Sequence, residues 1–365
     1  MSREFTEKLE KLRELVKKKR KSAALITRQA NFSWLSCGAE AKVALNTDKA
    51  SAYWLVTKDE VYLVSNGIEL PRLKSEELNH LRYERLEFAW HEPGGLLDAI
   101  TEVVDPKKIL SDSSDLVSRP QPEAFAALRY SLSREEVKRL RYLGKALEAA
   151  VSATANGIRV DESENEIAAQ MSAAAIAVGL TPVVILVAVD ERIRRFRHPL
   201  PTGKKLKRHA MLIMCARYQG LIASMTRTVY FGDLPSALEG KHKSACTVDV
   251  ILQQGTKVGV PTGEILKKGI DQYSEVRFPN EWQAHHQGGP CGYLPREYIV
   301  TPETKAKVEA FQPFAWNPTI SGTKSEDTIL VTPRGPEIIT KSLDWPRVDV
   351  IVDKKKFARY AILDR

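Results

Sequence analysis

The spacing of apolar residues changes several times along the chain, and it first predicts a helix followed by short strands. A helix is predicted over residues 5–19 because apolar side chains recur at helical spacing between charged ones: Leu9, Leu12, Leu15 and Val16. Apolar runs of strand length then follow at 23–27, 51–56, 61–64, 82–88 and 108–110. Turn and helix signals separate these runs, which is typical of an α/β domain with a mostly open sheet. Pro120 and Pro122 indicate where this region ends.

Helix-capping signals open the second region. Ser133 is followed three residues later by Glu136, which is a capping-box pattern, and leucines at helical spacing then predict a long helix. Asp161 with Glu164 predicts the start of another helix, and Gly179 fits its C-terminal cap. The second region therefore begins with two helices.

After residue 182 the pattern changes to strands with two intervening helices. The predicted strands are 183–189, 210–217, 221–231, 314–318 and 328–332, and the predicted helices are 235–254 and 262–273. Helices packed on one face of an antiparallel sheet form an α+β domain. We therefore predict a smaller α/β domain over 1–125, an α+β domain over 126–341 and a C-terminal tail over 342–365.

The composition is that of a globular protein, and the apolar runs and cysteines indicate where in the cell it is expected. Hydrophobic residues make up 43% of the 365 residues and charged residues 28%. No apolar run is long enough to span a membrane, and the charged N-terminus lacks the apolar core of a signal peptide. None of the four cysteines forms a CxxC pair, so we expect reduced thiols in a cytoplasmic protein.

The positive charge is spread along the chain rather than gathered in a binding motif. The formal net charge is +9, and basic residues are dense only at 17–21, 192–197 and 354–356. No known nucleic-acid-binding motif accompanies these clusters, so they are interpreted as solvated surface and nucleic acid is not an expected partner. No membrane partner is expected either.

Four local motifs, in a fixed order, carry a resemblance to a known family. They are the segment from Ala23-Ala24-Leu25-Ile26 to Phe32-Ser33-Trp34-Leu35, the turn His198-Pro199-Leu200-Pro201-Thr202, the hairpin from Ala216-Arg217-Tyr218 to Met225-Thr226-Arg227, and the strand Ser325-Glu326-Asp327-Thr328-Ile329-Leu330. Over residues 20–340 the chain thereby resembles the aminopeptidase P, prolidase and creatinase family. The resemblance implies a C-terminal pita-bread domain after a smaller creatinase-type α/β domain, and a homodimer.

The resemblance also implies a metal site that this sequence mostly lacks. Peptidases of the family hold two divalent ions with two aspartates, a histidine and two glutamates, because such ions need several carboxylate oxygens. The matching positions are occupied, in chain order, by Ile213 or Cys215, Ser224, His285 or His286, Asn317 and Glu326. Since three carboxylates are missing, we expect no metal cofactor. The alternative is one divalent ion such as Mn²⁺ or Zn²⁺, held by histidine and Glu326.

Creatinase indicates what such a site can still do. It is a member of the family that hydrolyses a carbon–nitrogen bond without metal, using a histidine that matches His198 and a glutamate that matches Glu326. We therefore expect His198, His286 and Glu326 to be catalytic, since histidine exchanges protons near neutral pH. The expected substrate-binding residues are His285, Asn317, Arg217, Gln287 and Arg296. The structural alternative is that these side chains only shape turns and strand ends.

The sequence thus favours a hydrolase that acts on an amide or other C–N bond of a small peptide or amino-acid-like substrate. Two other functions stay open. One is a non-catalytic pita-bread module that binds peptides or proteins, which the missing carboxylates favour. The other is an Xaa-Pro metallopeptidase with an altered site. The surviving titratable groups favour an enzyme, because a pure binding surface needs none of them in one cleft.

Overall fold

The computed structural model describes residues 3–116 and 118–365. Its contacts divide the chain into two compact units, Met1–Glu136 and Val137–Arg365, which part in the first turn of a long helix, Arg134–Gly157. The predicted limit at residue 125 falls inside the preceding short helix, and the domain limits stay a prediction. None of the helices in the described ranges combines the length and apolar composition that a membrane crossing needs.

The first unit is built around one open, mixed sheet. Its elements are α1 (Arg3–Lys18), β1 (Ala23–Arg28), α2 (Gln29–Leu35), β2 (Lys49–Thr57), β3 (Val61–Asn66), α3 (Leu70–Arg72), β4 (Glu84–Phe88), α4 (Gly95–Thr101), β5 (Ile109–Ser111) and α5 (Pro122–Ala127). The strand order is β4-β3-β2-β1-β5. β1 pairs antiparallel with β2 and parallel with β5, and β4 is parallel to β3. The predicted α/β unit is confirmed.

The predicted first helix is also confirmed, and its apolar face explains it. Phe5, Leu9, Leu12 and Val16 of α1 are buried, and the charged residues between them are mostly exposed. Burial of such a stripe against the unit supplies most of the stability of a surface helix.

The second unit contains two four-stranded sheets with helices packed against them. Its elements are α6 (Arg134–Gly157), α7 (Glu164–Ala177), β6 (Thr181–Val189), α8 (Glu191–Arg195), β7 (His209–Tyr218), β8 (Leu221–Tyr230), α9 (Ser236–Gly255), α10 (Thr262–Glu275), β9 (Gly288–Pro290), β10 (Pro313–Trp316), β11 (Thr319–Ile320), β12 (Thr323–Lys324), β13 (Asp327–Thr332), β14 (Gly335–Ile338), β15 (Arg347–Val352), β16 (Lys355–Tyr360) and β17 (Leu363–Asp364). The sheets have the orders β17-β8-β7-β6 and β14-β13-β10-β9.

Side chains from α9 and α10 form the core over the second of these sheets. Leu252 and Leu266 pack there with Phe314, Trp316 and Ile329, all of which are nearly inaccessible to solvent. Helices on one face of an antiparallel sheet make this an α+β unit, as predicted. The packed sheet therefore fixes the strand ends next to Asn317, which follows β10, and Glu326, which precedes β13.

The cap of α7 differs from the predicted one. Ser163 is the N-cap: its Oγ accepts the Glu166 N–H at 3.2 Å, and the Glu166 carboxylate accepts the Ser163 N–H at 2.7 Å. The prediction of Asp161 with Glu164 is wrong because the carboxylate of Glu164 is buried and accepts the Thr202 N–H at 2.9 Å. Asp161 lies in the preceding turn with a φ of 73°.

The residues predicted as a C-terminal tail form three strands of the second unit. β15 and β16 pair as an antiparallel hairpin, and Val350 and Val352 of β15 pack on Cys246 and Val250 of α9. β17 pairs in parallel with β8. Arg359 of β16 is buried and extends towards the strand that follows Glu326. This segment is therefore part of the framework behind the site.

Candidate active site

Three histidines from two loops converge in the second unit. His198 follows α8, and His285 and His286 lie between a 3-10 turn and β9. The Nε2 atoms of His198 and His285 are 3.0 Å apart, and each of the three rings offers a nitrogen within 4.8 Å of the others. His285 is buried, His286 is partly buried and His198 is exposed. The cluster thus has one ring on the solvent side, through which protons can exchange.

Glycine holds the histidine loop close to the neighbouring strand. Gly288 has a φ of +90°, and a Cβ at this position would lie 2.1 Å from the carbonyl oxygen of Ala315 in β10. No other residue fits without moving the backbone. Gln287 also fixes the loop, because its Oε1 accepts the Tyr273 hydroxyl at 2.8 Å and its amide donates to the His285 carbonyl at 2.6 Å.

Glu326 lies between β12 and β13 with both carboxylate oxygens engaged. Oε1 accepts from the Arg296 guanidinium at 3.1 Å, and Oε2 is 3.1 Å from Lys324 Nζ and accepts from Thr226 Oγ1 at 2.7 Å. Burial alone would raise the pKa of Glu326, but Lys324 and Arg296 outweigh it and, with the Thr226 hydroxyl, lower that pKa to about 2. Glu326 is therefore ionised at neutral pH.

Lys324 is the residue of the site that the sequence reasoning missed. Its side chain is 4% exposed, although lysine is seldom buried without a partner. It lies two residues before Glu326, a spacing that would place both side chains on one face of an extended segment, and its Nζ is 3.1 Å from the Glu326 carboxylate. That spacing, together with a lysine inside a segment of buried positions, was the signal that could have found it.

Burial and positive charge keep the three imidazoles neutral. Burial, followed by the Lys324 ammonium, lowers the pKa of His285 to about 2. Burial and the Arg296 guanidinium lower the pKa of His286 to about 4. The pKa of His198 is lowered by partial burial and by Lys324, and Glu326 opposes the change. At neutral pH the three rings are therefore neutral, and each keeps one nitrogen lone pair as a hydrogen-bond acceptor.

Two further residues that were predicted to bind substrate, Asn317 and Arg217, lie near the ends of different strands of the second unit. Asn317 follows β10, is 3% exposed, and its Oδ1 has no hydrogen-bond partner in the described part of the chain. Arg217 lies near the end of β7, where it pairs with Ile222 of β8. Two strand positions earlier, Cys215 Sγ and Ser224 Oγ are 3.0 Å apart and buried. The histidines, Glu326 and Arg296 act on one another electrostatically, whereas Arg217 lies near the end of the β7–β8 hairpin.

The donor set does not fit the two metal ions that the resemblance implies. The hairpin offers Ile213 and the Cys215–Ser224 pair, Asn317 replaces a glutamate, and the remaining carboxylate already carries a cation on each oxygen. Two divalent ions there would face two buried positive side chains and a single negative charge. The described residues therefore leave such a pair poorly neutralised.

A single ion on the three histidines fits no better. The Nδ1 atom of His286 accepts the Gly288 N–H at 3.3 Å, which leaves the proton on Nε2. The Nδ1 atom of His285 is buried without a partner among the residues described, although a metal-bound imidazole normally donates from its second nitrogen. The ammonium of Lys324 adds electrostatic repulsion.

Comparison with known proteins shows the same architecture in a group of peptidases. No model of a known protein family matches the chain. The prolidase structure from Pyrococcus horikoshii superposes with a TM-score of 0.78 at 20% identity, covering 92% of this chain and 99% of that one. The chain has the pita-bread fold of the prolidases. The α+β pita-bread class predicted from the sequence is thereby confirmed.

Other pita-bread proteins are similar along nearly the whole chain. An Xaa-Pro dipeptidase of Pyrococcus horikoshii is 21% identical over 352 residues, which cover 93% of this chain and 98% of the relative. The X-Pro aminopeptidase structure from Thermotoga maritima has a TM-score of 0.75 at 17% identity and covers 98% of this chain and 99% of that one. The relatives of the chain are thus members of the prolidase and aminopeptidase P family, as the motifs predicted.

Proposed function

We propose that the chain is a pita-bread hydrolase that cleaves an amide or other C–N bond of a small peptide or amino-acid-like substrate without a two-metal centre. The observation that carries this proposal is the cluster of three histidines within electrostatic reach of Glu326, whose carboxylate pairs with Arg296 and Lys324. Titratable groups with shifted pKa values in one cluster are typical of active sites. The peptidase names of the similar proteins support the reaction class.

The chemistry follows from the protonation states. His198, on the solvent side, takes a proton from water as the water oxygen bonds to the substrate carbon. The same proton passes to the leaving nitrogen when the C–N bond breaks, which regenerates the neutral imidazole. Glu326 holds no proton to donate, so it acts as an acceptor that orients groups around it. Asn317 Oδ1 is an unused buried acceptor for a substrate N–H.

Hydrolysis by metal-depleted protein tests the proposal. Protein dialysed against EDTA is incubated with Xaa-Pro dipeptides, other dipeptides and guanidino compounds, and released amine is measured. We expect turnover that added Mn²⁺ or Zn²⁺ does not raise, and a loss of about 10²–10⁴-fold in kcat for His198→Ala. The matched control is His80→Ala, which removes an exposed histidine of the first unit. Equal activity of the two variants would remove His198 from the mechanism.

The same experiment distinguishes the other two functions. Activity that appears only after metal is added would support an Xaa-Pro metallopeptidase with an altered site. Peptide binding without any turnover would support a non-catalytic module.

We also propose a cytoplasmic location, which the free thiols of all four cysteines support, and a homodimer, which light scattering would test.

A further inference from the structure

The cluster around Glu326 has more buried positive charge than negative charge. The side chains of Lys324 and Arg296 are 4% and 11% exposed, and both pair with one carboxylate. The three imidazoles beside them are neutral. The charged groups that act on His198 are Lys324, Glu326 and Arg296. Because buried charges are stable only when balanced, the single Glu326 carboxylate shared by these two side chains leaves one of the two positive charges without an ion-pair partner of its own among the described residues.

Hydrogen-bond donors in the cluster are also unused. The Nε atom of Arg296 is buried and has no hydrogen-bond partner among the described residues. An ammonium offers three N–H groups, and Glu326 is the polar partner that the structure gives to Lys324 Nζ. The unsatisfied N–H groups are a second observation, separate from the charges. Buried N–H groups normally have a hydrogen-bond acceptor, and an oxygen atom of a ligand would supply one.

We propose that Lys324 and Arg296 form an oxyanion-binding site, which supplies from side chains the positive charge that metal ions supply in two-metal hydrolases. This inference rests on the proposed function and adds two catalytic residues to it. When the water oxygen bonds to the substrate carbon, the electron pair of the carbonyl double bond moves to its oxygen. Lys324 and Arg296 donate hydrogen bonds to that oxygen. Its electron pair re-forms the carbonyl double bond as the C–N bond breaks, and the C–N electrons leave with the nitrogen, which takes the proton from His198.

Binding of inorganic phosphate, a tetrahedral oxyanion, tests the site without knowledge of the substrate. Calorimetry at pH 7.5 in EDTA compares wild type with Lys324→Met and with Lys268→Met, a control at an exposed helix position. We expect phosphate to bind wild type and the control equally, and Lys324→Met at least about tenfold more weakly, because a charge-assisted hydrogen bond is lost. Arg296 and Thr226 still hold Glu326 in this variant, so the fold is expected to persist.

A second measurement makes the test independent of folding losses. The imidazole ¹⁵N resonances of His198 should shift on addition of phosphate to wild type and not to Lys324→Met or to Arg296→Gln. Thermal unfolding of each variant is recorded alongside. Equal phosphate affinity in wild type and Lys324→Met, an adventitious ion only, would overturn the inference. Phosphate binding that requires added Zn²⁺ or Mn²⁺ would overturn it as well.

The inference and the proposed function fail in different ways. Lysine-dependent phosphate binding without hydrolysis of any test compound keeps the anion site and removes the hydrolase. If the protein hydrolyses a substrate but its phosphate affinity is the same with and without Lys324, the hydrolase proposal stands and the oxyanion-site inference is refuted. Where a substrate is turned over, Lys324→Met should lower kcat by about 10²–10³-fold with little change in KM, as for loss of an oxyanion donor. A rise in KM alone would mean that Lys324 binds the ground state and would refute the oxyanion role.

Discussion

Replacement of Arg359 by methionine should lower the free energy of unfolding of the second unit by more than a surface substitution in the same hairpin does. Arg359 is 2% exposed and donates to Asp249 and to Asp327 Oδ2, the latter at 2.7 Å. Methionine fills the volume but leaves two buried carboxylates with one cation fewer. Breaking a buried ion pair typically costs about 3–5 kcal/mol. For a unit of this size, that corresponds to a fall in Tm of about 6–20 °C.

The pH dependence of this loss has a defined sign. Burial already raises the pKa of Asp249, and removal of Arg359, which lowers it, raises it further. The folded variant then binds a proton that the unfolded chain, with an ordinary aspartate, does not. Its stability relative to wild type should therefore improve as the pH falls from 8 towards 5.

Urea unfolding of wild type, Arg359→Met and Lys356→Met at pH 8 and pH 5 measures both effects. Lys356 lies in the same strand, and its ion pair with Asp349 is exposed, with side chains 70% and 51% accessible, so its loss should cost about 1 kcal/mol or less. Similar losses for the two variants would refute the reasoning. So would an Arg359→Met penalty that grows as the solution is acidified.

Three further predictions follow from the site. Glu326→Gln leaves Lys324 and Arg296 without their carboxylate, so we expect about tenfold tighter phosphate binding by calorimetry, and unchanged or weaker binding would contradict the charge balance. The folded pKa of His286 lies at about 4, below the unfolded value of 6.5, so stability is present above pH 6.5 and is lost as the pH falls towards 4; urea midpoints that stay level from pH 7 to 5 would disprove this. Gly288→Ala should lower Tm by several degrees, because its Cβ meets the Ala315 carbonyl, whereas Gly203→Ala, with open space around it, should not.

Local patterns were sufficient for most elements of the fold. The apolar stripe of α1, the long hairpin of β7 and β8 and the capping box at Ser133 depend on neighbours in the sequence, and all are present. The cap of α7 was misplaced because two acid-rich patterns overlap there. Ser163 with Glu166 is also a local capping-box pattern, and the contact of Glu164 with Thr202 shows that Glu164 serves elsewhere.

The candidate site was predicted in part, and the missing part has one physical cause. Histidine and glutamate were recognised by residue type and motif, since their chemistry can be read from the sequence. Whether a charge is buried and paired depends on residues far apart in the chain: Arg296 meets Glu326 across 30 positions, and Arg359 meets Asp249 across 110. The sequence alone determined the fold and the loss of carboxylates; only the tertiary structure, by burying Lys324 beside Glu326, decided which charges take their place.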